Sequence, residues 1–204
     1  AVKVESYTGA AGCGAGIGAA VSVAEMNNIV SVKLAGDQRY SSSLNASAAD
    51  SLGLSVTADG AAFGAVAAGL VIGTGLRDSE VGVSVAADSK LSANGINLSA
   101  QGAGALEVTT VGAAGGLVLA GTAVAALGID STRVTTEVGD RTILDGGANG
   151  VLVQASAAPQ IDVSATGVSV SGGAGVGASY ARAQSSSKVS AKLGNAVDVK
   201  GTGG

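Results

Sequence analysis

A repeat of about 50 residues, whose copies keep three apolar anchors in register, constrains this chain more than any single residue does. The first anchor is an apolar-x-Val triplet: Val2-Lys3-Val4, Leu54-Ser55-Val56, Leu106-Glu107-Val108 and Ile161-Asp162-Val163, starting 52, 52 and 55 residues apart. The second is a strand start at Val30, Val81, Val134 and Val189, separated by 51, 53 and 55 residues. The third is Leu44, Ile96 and Val151, each ten residues before a triplet. Three anchors drifting together mark true repeats. A repeat unit buries its apolar face by stacking on its neighbours, so such a chain works as a rod, spacer or extended surface. The units fall at about 2–53, 54–105, 106–160 and a partial 161–204, within one elongated domain spanning 1–204.

Length variation concentrates between the second and third anchors, where the gap is 14, 15 and 17 residues. Insertions belong where the chain leaves its core, so this gap is read as a surface loop carrying Tyr40-Ser41-Ser42-Ser43, Ser92-Ala93-Asn94-Gly95 and Asp145-Gly146-Gly147. In the last unit Val197 follows Val189 by eight residues, and the equivalent loop is expected to be almost absent. The sequence starts and stops inside repeats, without an initiator Met or signal peptide, and reads as a piece of a longer polypeptide.

Period-2 alternation identifies strands: Val30-Ser31-Val32-Lys33-Leu34, Val81-Gly82-Val83-Ser84-Val85, Leu54-Ser55-Val56-Thr57 and Val168-Ser169-Val170-Ser171. Asn27-Asn28, Asp78-Ser79, Asp130-Ser131 and Ser185-Ser186 read as turns before the second anchor. Asp37, Asp88, Asp140 and Asn195 read as a turn ladder after that strand. Each unit then holds four or five short strands, enough for two coils of roughly 25 residues. The expected fold is all-β, a right-handed parallel β-solenoid (β-helix) of ~52-residue repeats with about two coils each. About eight coils at ~4.8 Å would make a rod on the order of 40 Å long.

Composition narrows the function. Gly is 34 of 204, aromatics are 2%, and His and Trp are absent, so the core must be thin, with backbones packed close together. At 47% apolar residues the chain is too hydrophobic for disorder. A net charge of −4 with scattered Lys and Arg argues against nucleic acid. Residues 111–129 are uncharged and long enough to cross a membrane, but five of them are Gly, and the equivalent segments carry Glu25, Arg77 and Arg182. They are read as a strand buried on both faces; were one face exposed, it would be a sticky patch suited to lateral association.

Candidate chemistry is sparse. Gly12-Cys13-Gly14-Ala15-Gly16-Ile17-Gly18 lacks both the dinucleotide spacing and a P-loop Lys, and reads as close strand packing. Asp145-Gly146-Gly147-Ala148-Asn149-Gly150-Val151-Leu152 resembles half a calcium nonapeptide, but Val151 stands where an Asp is needed. One Asp per repeat in the Asp37, Asp88, Asp140 series is thin ligation for calcium. Acids come singly and Cys13 has no His partner, so neither carbohydrate hydrolysis nor thiol catalysis is expected. No catalytic, cofactor-binding or metal-binding residue is assigned. Asn45-Ala46-Ser47 and Asn97-Leu98-Ser99 are sequons read as accidental. Thr109-Thr110 and Thr135-Thr136 are adjacent pairs, which point to opposite faces of a strand and make no flat ice-binding array.

The order Gly-Ile/Val-Gly-Ala, strand, Asn- or Ser-bearing turn, Val-x-Val/Ala-Lys-Leu and Gly-Asp/Asn stop resembles the repeats of leukotoxin-type filamentous adhesins and other giant β-solenoid surface proteins of Gram-negative bacteria. Residues 16–37 and 175–195 match best; 69–88 and 122–140 lack the Gly-x-Gly-Ala core. The resemblance implies a secreted, very long solenoid displayed at the bacterial cell surface and acting in attachment. The expected function is therefore a structural stalk segment, without enzymatic activity. Its partners would be adjoining repeats, other copies laterally, and a host or neighbouring-cell surface met through regions outside this segment, with no membrane insertion. The alternative is a self-associating filament or matrix subunit packing through Gly/Ala-rich faces, motivated by residues 60–76 and 111–129.

Overall fold

Alternation of small or branched apolar residues with polar ones makes nearly the whole chain extended. The computed structural model describes residues 1–201, and within them the chain is all-β, built from parallel-paired strands. The strands are β1 (Val2–Ala11), β2 (Ala15–Leu34), β3 (Asp37–Arg39), β4 (Leu44–Asp50), β5 (Leu54–Val85), β6 (Lys90–Ser92), β7 (Ile96–Gly102), β8 (Ala105–Val138), β9 (Ile143–Asp145), β10 (Val151–Ala157), β11 (Gln160–Ser171), β12 (Ala174–Leu193) and β13 (Asp198–Lys200). One 3-10 turn, Gly147–Asn149, interrupts them. The last three residues of the fourth unit lie outside the described residues.

All three anchors coincide with the ladder. Val2 pairs Leu54, Leu54 pairs Leu106, and Leu106 pairs Ile161. Val30, Val81, Val134 and Val189 form a second column, and Leu44, Ile96 and Val151 a third. Every pair is parallel and joins residues one whole unit apart.

This corrects the expectation of two coils per unit. The unit occupies one level of the stack, so four levels are present, spaced about 4.8 Å apart and about 14 Å from first to last. The error lay in the supposed turns. Asn27-Asn28, Asp78-Ser79, Asp130-Ser131 and Ser185-Ser186 sit inside unbroken strands, β2, β5, β8 and β12. Their alignment is also offset, since Asp78 pairs Ser131 and Arg77 pairs Asp130.

The 32-residue β5 doubles back at a register shift between Gly64 and Val66. Its two arms then face each other so closely that only small residues fit on one side. A Cβ on Gly75 would lie 2.8 Å from Leu106 Cδ1 and from Val108 Cγ2; one on Gly73 would lie 2.5 Å from Thr110 Cγ2. Gly112 meets Val124 in the same way. This small-against-large pairing leaves no room for a side chain at these glycines. Past this zone, Val81, Val83 and Val85 pack on Leu44, Leu91, Leu98 and Leu144 to form a fuller core.

Two further expectations are corrected. The supposed loop after the second anchor contains a three-residue strand at every level: β3, β6, β9 and β13 pair as one sheet. Val197 therefore lies just before β13 and packs on the main core; it does not begin the third anchor. The turn ladder also shifts. Asp37 pairs Lys90 within that sheet, while the left-handed positions are Asp88 (φ 59°), Arg141 (φ 55°) and Ala196 (φ 54°), with Gly36 (φ 79°) in the shorter first turn.

Candidate functional site

Two features stand out from the stacked strands: a charge cluster sealed between the layers, and an apolar outer face open to solvent. The cluster forms because successive levels place Met26, Arg77, Asp130 and Ser185 in one inward column, with Asn28, Ser79, Thr132 and Ser187 two residues further on. Arg77 and its acids Asp50 and Asp130 have wholly buried side chains. Arg77 Nη2 donates to Asp50 Oδ2 at 2.6 Å, and Nη1 donates to Asp130 Oδ1 at 2.5 Å and to Thr132 Oγ1 at 3.1 Å. Ser79 Oγ, Asn28 Nδ2 and the Leu52 N–H also donate to Asp50. Gly104 makes room for the guanidinium, since any side chain there would overlap it. Arg77 Nε has no acceptor among the described residues.

Burial opposes ionisation of Asp50. Hydrogen bonds from Ser79 and Leu52, with the Arg77 charge, outweigh it and hold the carboxyl below its ordinary value. The cluster ties three levels together and has no opening for a substrate. Sequence reasoning treated Arg77 only as a charge unsuited to a membrane. The available signal was the column Met-Arg-Asp-Ser, in which the two middle levels carry opposite charges.

The outer face comes from the other half of the alternation. Ile17, Ala68, Gly121 and Val176 form one outward column, followed by Ala19, Leu70, Ala123 and Ala178, then Val21, Ile72, Ala125 and Tyr180. Ile17 is 77% exposed, Val21 57% and Tyr180 59%. Residues 111–129 are thus not buried on both faces, as first expected. Inward positions such as Gly112, Ala114, Thr122 and Val124 are covered, whereas Leu117 at the turn is 78% exposed. Between the ridge of Leu70 and Ile72 and the ring of Tyr180, the small Ala123 and Ala125 leave a shallow groove of about 270 Å³. Further along the strands the same face turns polar at Glu80, Arg133 and Lys188.

The residues singled out from sequence are dispersed. Cys13 is exposed in the turn between β1 and β2. Gly16 and Gly18 abut the carbonyls of Phe63 and Ala61, which is the close packing expected of that segment. Asp145 Oδ1 accepts the Gly147 N–H at 3.3 Å and so closes its own surface turn. Asp88 forms a two-pronged pair with Arg141, at 2.6 and 2.7 Å, on the surface. Asp140 Oδ1 accepts the Asn195 N–H. Among the described residues no His, Cys, Asp and Glu side chains gather in a group able to hold a metal. Of the Thr pairs, Thr110 and Thr136 are buried and Thr109 and Thr135 face outward. No helix among the described residues is long and apolar enough to cross a membrane.

Comparison with family models, with curated proteins and with solved structures gives no match to this chain.

Proposed function

We propose that this chain is a structural stalk segment of a very large secreted bacterial cell-surface adhesin, a right-handed β-solenoid that carries out no catalysis and needs no cofactor. The observation that carries the reading is the one-to-one ladder, in which each unit pairs along its length with the next. Such stacking extends by adding levels, and backbone hydrogen bonds between levels give stiffness at nearest-neighbour cost. The work of the segment is to hold a binding region elsewhere in the parent away from the cell. Host or neighbouring-cell contacts belong to that region.

The test is the mass of the native parent polypeptide sheared from the cell surface. A parent many times longer than 204 residues is the expected result. A parent close to this length would remove the stalk reading.

A second reading, a filament or matrix subunit that self-associates through its Gly/Ala-rich face, is favoured by the exposed columns at Ile17, Val21 and Tyr180.

A further inference from the structure

The outward columns of the long strands pair complementary features on the two middle levels of the stack. Number the levels one to four, for β2, β5, β8 and β12. Level two presents large residues, Leu70 and Ile72, where level three presents Ala123 and Ala125. Eight to ten residues further along, level two presents Glu80 where level three presents Arg133. A ridge and a negative charge on one level therefore lie beside a groove and a positive charge on the next.

We propose that a second copy of this chain docks face to face on this surface, with the two stacks running antiparallel about a two-fold axis along the strand direction. That operation sets level two of one copy against level three of the other, twice. Leu70 and Ile72 enter the groove over Ala123 and Ala125 of the second copy, and Glu80 meets its Arg133. Leu76 meets Ile129, and Asp78 meets Ser131. The contact is isologous and closes on itself, so it gives a dimer. Lys33 opposes Lys192 at the far rim, where both long side chains reach solvent.

Size supports this occupant. Five outward positions on each of four strands, each covering about 4.8 by 6.7 Å, make a mainly apolar face of roughly 640 Å². Two such faces bury about 1,300 Å², within the range of specific protein pairs. The arrangement of apolar centre and charged margin is also that of an interface. Among the described residues neither Glu80 nor Arg133 forms an ion pair, which leaves both available to a second copy. The inference rests on the self-association reading and is independent of the stalk reading.

The experiment combines sedimentation equilibrium with disulfide trapping in a Cys13→Ser background. The chain is expected to dimerise reversibly. Ile72→Glu should weaken the dimer at least tenfold with an unchanged circular dichroism spectrum. Glu80→Arg should weaken it, and adding Arg133→Glu to that variant should restore it. Copies carrying Thr74→Cys, mixed with copies carrying Leu127→Cys, should cross-link to each other under oxidation and far less to themselves. A monomer at all concentrations overturns the proposal while leaving the stalk reading intact. Preferential cross-linking of Thr74→Cys copies to themselves overturns the antiparallel arrangement. A monomer that floats with phosphatidylcholine vesicles assigns the face to lipid and likewise overturns it.

Discussion

Arg77 is the residue whose environment says most about how this chain tolerates its own composition. Its fully buried charge is balanced by Asp50 and Asp130, which come from different levels. Removing one member of such a set strands the others, so Arg77→Ala should cost about 3–5 kcal/mol by urea denaturation. Other levels supply an uncharged alternative: Met26 and Ser185 occupy the Arg77 column, and Ala157 occupies the Asp50 column. The triple variant Asp50→Ala, Arg77→Met, Asp130→Ser should therefore unfold within about 1 kcal/mol of the parent chain, since removing every charge of a buried set together leaves none stranded. Acid adds a second check. The Asp50 carboxyl is held below its ordinary value, so its stabilisation is complete above the unfolded-state pKa and fades as pH falls through the lowered folded value. The urea midpoint should decline below about pH 4, and Asp50→Asn should flatten that acid limb.

At the scale of the element, a strand position here has one inward and one outward meaning, and the two should respond differently to charge. Val83 is buried in the main core, whereas Asn94 is exposed in the second turn, where its Oδ1 accepts the Ala148 N–H. Val83→Asp should cost about 3 kcal/mol or more and deplete the folded state, because the new charge has no partner. Asn94→Asp keeps the acceptor and should shift the thermal midpoint little. The first turn offers a purely backbone test. Gly36 has φ 79° and nothing near its Cβ direction, so Gly36→Ala should destabilise by about 1 kcal/mol through the left-handed conformation alone.

Legibility also divides at this scale. The anchors were readable because an apolar column must recur once per level if levels are to stack, and Val30, Val81, Val134 and Val189 do so. The coil count was not, because Asp78-Ser79 and Asp130-Ser131 look like turn residues in isolation. What keeps Asp130 inside a strand is a guanidinium one level away, which no local pattern reveals. The short strands Asp37–Arg39 and Asp198–Lys200 are too brief and polar to alternate visibly. The outer face was half legible: its apolar content was plain, but its exposure depended on knowing which residues the doubled-back arm covers.

At the scale of the whole molecule, each level contacts the levels above and below it, and stability should accumulate level by level. Because ladder partners are one full unit apart, the unit boundary is also a seam. Deleting residues 106–160 joins Ala105 to Ile161, which already pairs Leu106, and carries level four directly onto level two. The level removed carries Asp130, so in the Asp50→Ala, Arg77→Met background, where no buried charge is stranded, that deletion should yield a folded chain shorter by one ~4.8 Å step, with its strand content per residue unchanged by circular dichroism. A deletion of half that length should fail, because it takes the remaining strands out of register with the next level and leaves the Val81 column without a neighbour. Such a chain is a ruler graduated in whole units: duplication or loss of one unit in the gene would change its reach in fixed increments and keep the strand register of every level that remains.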